Sequence, residues 1–306
     1  MNPPLGIALK ICATLSFAVM VACIKAVPGV PTGEVVFSRS FFALLPLVLY
    51  FGLKGQLASA FKTNNLKGQI KRTLAGGISM VMWFAALKLL PLPEAMAISF
   101  AAPIITLVLA VVLLKETMRI YRWSAAIAGF TGVLIILWPR LAVLQTGVAG
   151  DGETLGALLV LASACLVAVA MIQIRELVAT ESTQSIIFYF TFTVMIGSLA
   201  SMPFGWVWPT RSDATLLIGA GVFGGVGQIL LTECYRHADA STIAPFEYTS
   251  MIWGLAIAYL LFSEVPSLTV LIGAAIVITA GLFIIHREHQ LGLKRGKARR
   301  LQSPQN

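Results

Sequence analysis

The stretch "LGIALKICATLSFAVMVACIK" (5–25) lies over "LGALLVLASACLVAVAMIQIR" (155–175) without a gap, placing Leu5 on Leu155, Gly6 on Gly156 and Lys25 on Arg175. The echo continues downstream at an offset of 148. There the glycine pair at 76–77 meets that at 224–225, Lys88 meets Arg236 and Glu116 meets Glu264. A register kept over such a distance is an internal duplication. Apolar runs fall at 5–25, 34–53, 72–90, 94–114, 121–139, 154–174, 184–204, 213–233, 241–262 and 266–286. Each is close to the ~20 residues that cross a bilayer as a helix. The expectation is an all-α integral membrane protein of ten transmembrane helices in two five-helix repeats. Because five is odd, the second repeat enters the membrane upside down, the inverted plan of many secondary transporters.

Composition excludes a soluble domain. Of 306 residues, 58% are hydrophobic and only 11% charged, with a mean hydropathy of +0.88. The net charge of +9 does not point to nucleic acid, since Lys and Arg sit in short connections and a C-terminal tail. Their placement orients the chain. With a cytoplasmic N-terminus, only Lys25, Lys88, Arg140 and Arg211 fall outside. Lys10 and Arg39 lie within helices, and the remaining basic residues, among them Lys54, Lys62, Lys67, Lys71 and Arg72, are inside. Both termini are therefore expected in the cytoplasm of a cell with the protein in its inner membrane, and the tail "LKRGKARR" (293–300) beside anionic lipid. No basic segment precedes the first run, so it reads as a retained helix and not a signal peptide. Cys12, Cys23, Cys165 and Cys234 lie in apolar runs without CxxC spacing, and read as packing residues.

The segment "ALKLLPLPEAMAISFAAPIITLVLAVVLLKE" (86–116) with "RWSAAIAGFTGVLIIL" (122–137) resembles the end of an EamA domain of the drug/metabolite transporter superfamily. "STIAPFEYTSMIWGLAIAYLLFSE" (241–264) with "LIGAAIVITAGLFII" (271–285) resembles a second. The domain reading is a first repeat at 1–140, an external linker at 141–153, a second repeat at 154–287 and a basic cytoplasmic tail at 288–306. The resemblance implies alternating-access transport of a small organic metabolite without ATP. "FSRSFFALLPL" (37–47) and "APFEYT" (244–249) are similar to the bacterial branch holding riboflavin importers and S-adenosylmethionine carriers. The cargo it implies is riboflavin or another ring-containing vitamin or cofactor. Export of amino acids or related metabolites is the alternative within transport. A non-transporting membrane accessory protein or enzyme is the alternative class, but no convergent nucleophile, base or metal ligands appear at one depth.

Other motifs carry less. Gly219, Gly221 and Gly224 form a formal GxGxxG, but it lies in an apolar span with no strand before it. Gly221 with Gly225 makes the GxxxG spacing by which membrane helices pack closely. No GxxxxGK[ST] is present, the three histidines lack metal-ligand spacing, and no cofactor or metal is expected.

Charges inside spans are costly and mark function or pairing. Glu247 lies in the ninth run and has no acidic twin, since its counterpart is Ser99. Lys10, at a similar depth, either neutralises Glu247 or leaves it as a substrate or proton-coupling site. Arg39 either binds an anionic group or snorkels outward. Glu116 and Glu264 end their helices at the membrane surface and read as interfacial anchors. Trp83, Phe100, Tyr248 and Trp253 either line a cavity for a flat ring or face lipid and packing. The candidate substrate or coupling residues are thus Lys10, Arg39, Trp83, Ser99, Phe100, Glu247, Tyr248 and Trp253. The partners are a small-molecule substrate, the lipid bilayer and protons as candidate coupling ion.

Overall fold

The computed structural model describes residues 3–114, 120–146, 151–178, 180–237, 246 and 248–302. Among them the regular structure is helical throughout: α1 (Pro3–Lys25), α2 (Thr32–Leu53), α3 (Leu57–Ala60), α4 (Leu66–Ala86), α5 (Leu92–Ser99), α6 (Ala101–Leu114), α7 (Ile120–Thr146), α8 (Asp151–Val178), α9 (Thr183–Ser198), α10 (Arg211–His237), α11 (Thr249–Phe262) and α12 (Leu268–Gln302). A 3-10 turn at Leu199–Phe204 prolongs α9. Among the described residues five helices are long and apolar enough to span a bilayer, with shorter apolar helices beside them. The ends follow local chemistry. Pro31 and Pro91 precede α2 and α5, where a missing N–H costs nothing. Asn65 and Ser182 cap α4 and α9 by accepting the amides of Gly68 and Ser185.

Three boundaries differ from the sequence reading. The fourth crossing is broken at Phe100 into α5 and α6. α4 begins at Leu66, six residues before the apolar run, because Asn65 caps it and "LKGQIK" propagates helix well. α12 runs on to Gln302, so the basic segment continues the last helix.

The duplication reappears as packing. Exchanging the repeats maps α1 on α8, α2 on α9, α4 on α10, α5 and α6 on the ninth crossing, and α7 on α12. Most of the largest interfaces obey that exchange: α1 with α10 mirrors α8 with α4, and α7–α12 and α2–α9 map on themselves, whereas the α2–α10 contact has a much smaller counterpart in α9–α4. These are interfaces between halves, so each repeat completes its core on the other. α6 (101–114) and α11 (249–262) are related by the same offset of 148. Glycines allow the close approaches. A Cβ on Gly221 would lie 2.3 Å from Phe42 Cβ, and one on Gly225 2.8 Å from the Ala43 carbonyl. The GxxxG pair therefore sets the α10–α2 contact.

Candidate functional site

The interior is not uniformly apolar. α1 buries Lys10, Thr14 and Ser16, α2 buries Glu34, Ser38, Arg39 and Ser40, and α4 buries Gln69, Arg72, Thr73 and Ser79. Some of this polarity stitches the repeats together. Ser79 and Ser163 share a hydroxyl contact of 2.9 Å between α4 and α8, and Ser16 donates to the Phe223 carbonyl at 2.8 Å.

One cluster lies where the broken fourth crossing meets the start of α11. Phe100, at the break before α6, faces Tyr248, at the start of α11, with ring centroids 5.4 Å apart. The two positions are repeat twins at the offset of 148, and twins in contact lie on the pseudo-two-fold axis. Thr249 Oγ1 is 2.8 Å from Thr14 Oγ1 of α1, one turn from the buried Lys10. Trp253 follows Thr249 by one turn and buries its Nε1 without a partner among the described residues. Ser99 donates to the Met96 carbonyl at 2.6 Å, satisfying itself within the break. Trp83 is half-buried against the main core. Glu247 lies outside the described residues, and with it the proposed contact to Lys10.

A second cluster holds Arg39, and with it a residue that sequence reasoning missed. Arg39 does not snorkel to the surface: it is 7% exposed, and its Nε lies 3.1 Å from where a Gly224 Cβ would stand. Arg72, read as a cytoplasmic loop charge, is instead inside α4 at 9% exposure. Its guanidinium lies 3.6 Å from the centroid of Phe190 in α9, a cation–π contact. The two cations are close enough to repel each other. Symmetry underlies the arrangement. Phe190 packs on Gly76 and Val194 on Gly77, whereas Arg39 packs on Gly224 and Ala43 on Gly225. Arg39 thus occupies in one half the place that Phe190 holds in the other. The neighbours Lys67 and Lys71 are exposed, so only the phase of α4 sends Arg72 inward.

At one end of the bundle, Lys25 closes α1 onto two other elements. Its ammonium is 2.8 Å from Glu264 Oε1 and donates to the Leu90 carbonyl at 2.9 Å. Glu264 Oε2 accepts the Leu92 amide, the first of α5, at 2.7 Å. Ser263, at a φ of 55°, ends α11 in the left-handed region and turns the chain into Glu264. Glu264 is therefore no simple interfacial anchor: it ties α11 to α1 and α5. Nearby, Lys88 donates to the Val30 carbonyl, and burial lowers its pKa while Glu34 opposes the shift. At the other end Lys54 pairs with Glu233 at 3.2 Å and donates to Tyr50 Oη at 2.5 Å.

The EamA-like transporter family model matches residues 4–138 and 154–286. The chain belongs to the EamA-like transporter family. An S-adenosylmethionine uptake transporter of Rickettsia bellii is 34% identical over 260 residues, covering 83% of this chain and 84% of that protein. An uncharacterized transporter of Helicobacter pylori is 30% identical over 287 residues, covering 91% and 94%. The pseudopaline exporter CntI of Pseudomonas aeruginosa is 27% identical, covering 90% and 94%. A solved crystal structure at 16% identity superposes with a TM-score of 0.65 over 91% of this chain and 96% of the other, which shows the shared fold. This EamA protein is accordingly a multi-pass membrane protein, and the riboflavin cargo finds no support among these relatives.

Proposed function

We propose that this EamA protein is a secondary transporter that takes up S-adenosylmethionine, or a close amino-acid-bearing nucleoside, across the inner membrane by alternating access. The observation that carries the cargo is the 34% identity to an S-adenosylmethionine uptake transporter over 83% of this chain. The geometry supports the mechanism. Helices that pack mainly on the opposite repeat, with the broken fourth crossing meeting the start of α11 at Phe100 and Tyr248, can exchange roles when the halves rock about the pseudo-two-fold axis. The clustering of Lys and Arg on one side supports cytoplasmic termini. Export of a zwitterionic metabolite is the second reading, favoured by the likeness to the pseudopaline exporter.

Inverted vesicles and right-side-out vesicles separate the two. Labelled S-adenosylmethionine entering right-side-out vesicles, and chased out by excess unlabelled compound, is the expected outcome. Absence of uptake in vesicles containing folded protein overturns the cargo.

A further inference from the structure

Arg39 and Arg72 are both more than nine-tenths buried and make no ion pair or hydrogen bond among the described residues. Arg39 Nε, Arg72 Nε and Arg72 Nη1 are buried without partners. An unpaired buried cation is among the most destabilising features that a fold can carry, and two that repel each other are worse. The Phe190 face relieves part of this for Arg72, but a ring below the guanidinium plane leaves its N–H edges bare. Two hydroxyls beside the arginines in sequence, Ser40 and Thr73, are also buried without partners. That is unusual here. Thr106, Thr232 and Thr279 each turn back to the carbonyl four residues earlier at 2.7–2.8 Å, the ordinary fate of a helical threonine. The two arginines thus leave buried guanidinium N–H groups whose complement is an anionic acceptor.

The geometry points to Arg39 and Arg72 as one subsite that binds the carboxylate of the transported solute. This deepens the reading of the protein as a carrier of an amino-acid-bearing nucleoside, and rests on it for the choice of carboxylate over other oxyanions. The subsite spans two helices, α2 and α4, that rest on different helices of the second repeat, Arg39 on α10 and Arg72 on α9. An anion shared by the two therefore links both inter-repeat interfaces. The carboxylate lies at the methionine end of S-adenosylmethionine, so the subsite fixes that end toward α2 and α4.

The test uses the purified full chain in detergent. Thermal unfolding is followed with S-adenosylmethionine, its decarboxylated analogue, L-methionine and inorganic phosphate as probes, for wild type, Arg39→Gln, Arg72→Gln and the two Lys variants. The expected result is stabilisation by S-adenosylmethionine and not by the decarboxylated analogue. Each Gln variant loses at least tenfold in apparent affinity while unfolding, without ligand, at or above the wild-type temperature. Each Lys variant, charged but lacking the planar fork, is intermediate and guards against a folding artefact. Equal binding of the decarboxylated analogue, wild-type affinity in a Gln variant, or stabilisation by phosphate alone overturns the carboxylate assignment while uptake still stands. Arginine-dependent binding of L-methionine without S-adenosylmethionine binding keeps the subsite and overturns the proposed cargo. No binding by any carboxylate probe overturns both.

Discussion

Breaking the Lys25–Glu264 link tests whether one ion pair holds three helices of this transporter together. The ammonium and carboxylate are 2.8 Å apart with side chains 11% and 23% exposed, so the pair lies between a surface bridge and a buried one. Surface pairs contribute about 0.2–1 kcal/mol, whereas hydrogen bonds to charged groups contribute about 1.5–3 kcal/mol when shielded. We expect Glu264→Gln to cost about 1–2 kcal/mol, because the amide oxygen can still accept the Leu92 amide. Glu264→Ala also strands that helix-terminal N–H and is expected to cost about 2–4 kcal/mol. Lys25→Met leaves the Leu90 carbonyl without its donor. A double-mutant cycle on Lys25→Met and Glu264→Gln, read by reversible unfolding in mixed micelles, should give a coupling energy of about 1–2 kcal/mol. Coupling indistinguishable from zero, below about 0.3 kcal/mol, would show that the contact carries no energy and that α1, α5 and α11 are held by packing alone.

Gly225→Ala should lower stability by about 1–3 kcal/mol, because its Cβ meets the Ala43 carbonyl at 2.8 Å, whereas Gly197→Ala, with open space around it, should not destabilise in the same unfolding assay. The exposed Lys54–Glu233 pair should contribute no more than about 0.5 kcal/mol in a double-mutant cycle. The Lys54 pKa is raised, chiefly by its bond to Tyr50, so its stabilisation is complete below the unfolded value of ~10.5 and fades only as pH rises through the folded value; a loss seen between neutrality and mildly alkaline pH would contradict that. In intact cells, a single cysteine replacing Lys62 should resist an impermeant thiol reagent while one replacing Arg211 reacts, and the reverse pattern would refute cytoplasmic termini. If Glu247 couples transport to protons, Glu247→Gln abolishes accumulation against a gradient yet leaves exchange in part, whereas if it pairs with Lys10 the variant loses folded yield and Lys10→Met restores it; a well-folded Glu247→Gln that retains full pH-dependent accumulation would exclude Glu247 as the proton-coupling group.

Much of the architecture was legible because a membrane leaves few choices. Backbone groups in hydrocarbon must bond internally, so ten apolar runs of crossing length specify helices, and the 150 and 148 offsets specify two related sets of five. The same offsets identified twins, and Glu116 with Glu264 and the paired glycines needed nothing more than alignment. Tertiary structure decided which side of each helix turns inward. Lys67, Lys71 and Arg72 look alike along the chain, and only the phase of α4 against α9 separates two solvated lysines from a guanidinium on Phe190. Arg39 was visible as a charge in a span, but its rest against Gly224 depends on a helix 185 positions away. Spacing could not bring Phe100 to Tyr248 either: twins touch only where the symmetry axis passes, and its course is set by how two incomplete cores close on each other.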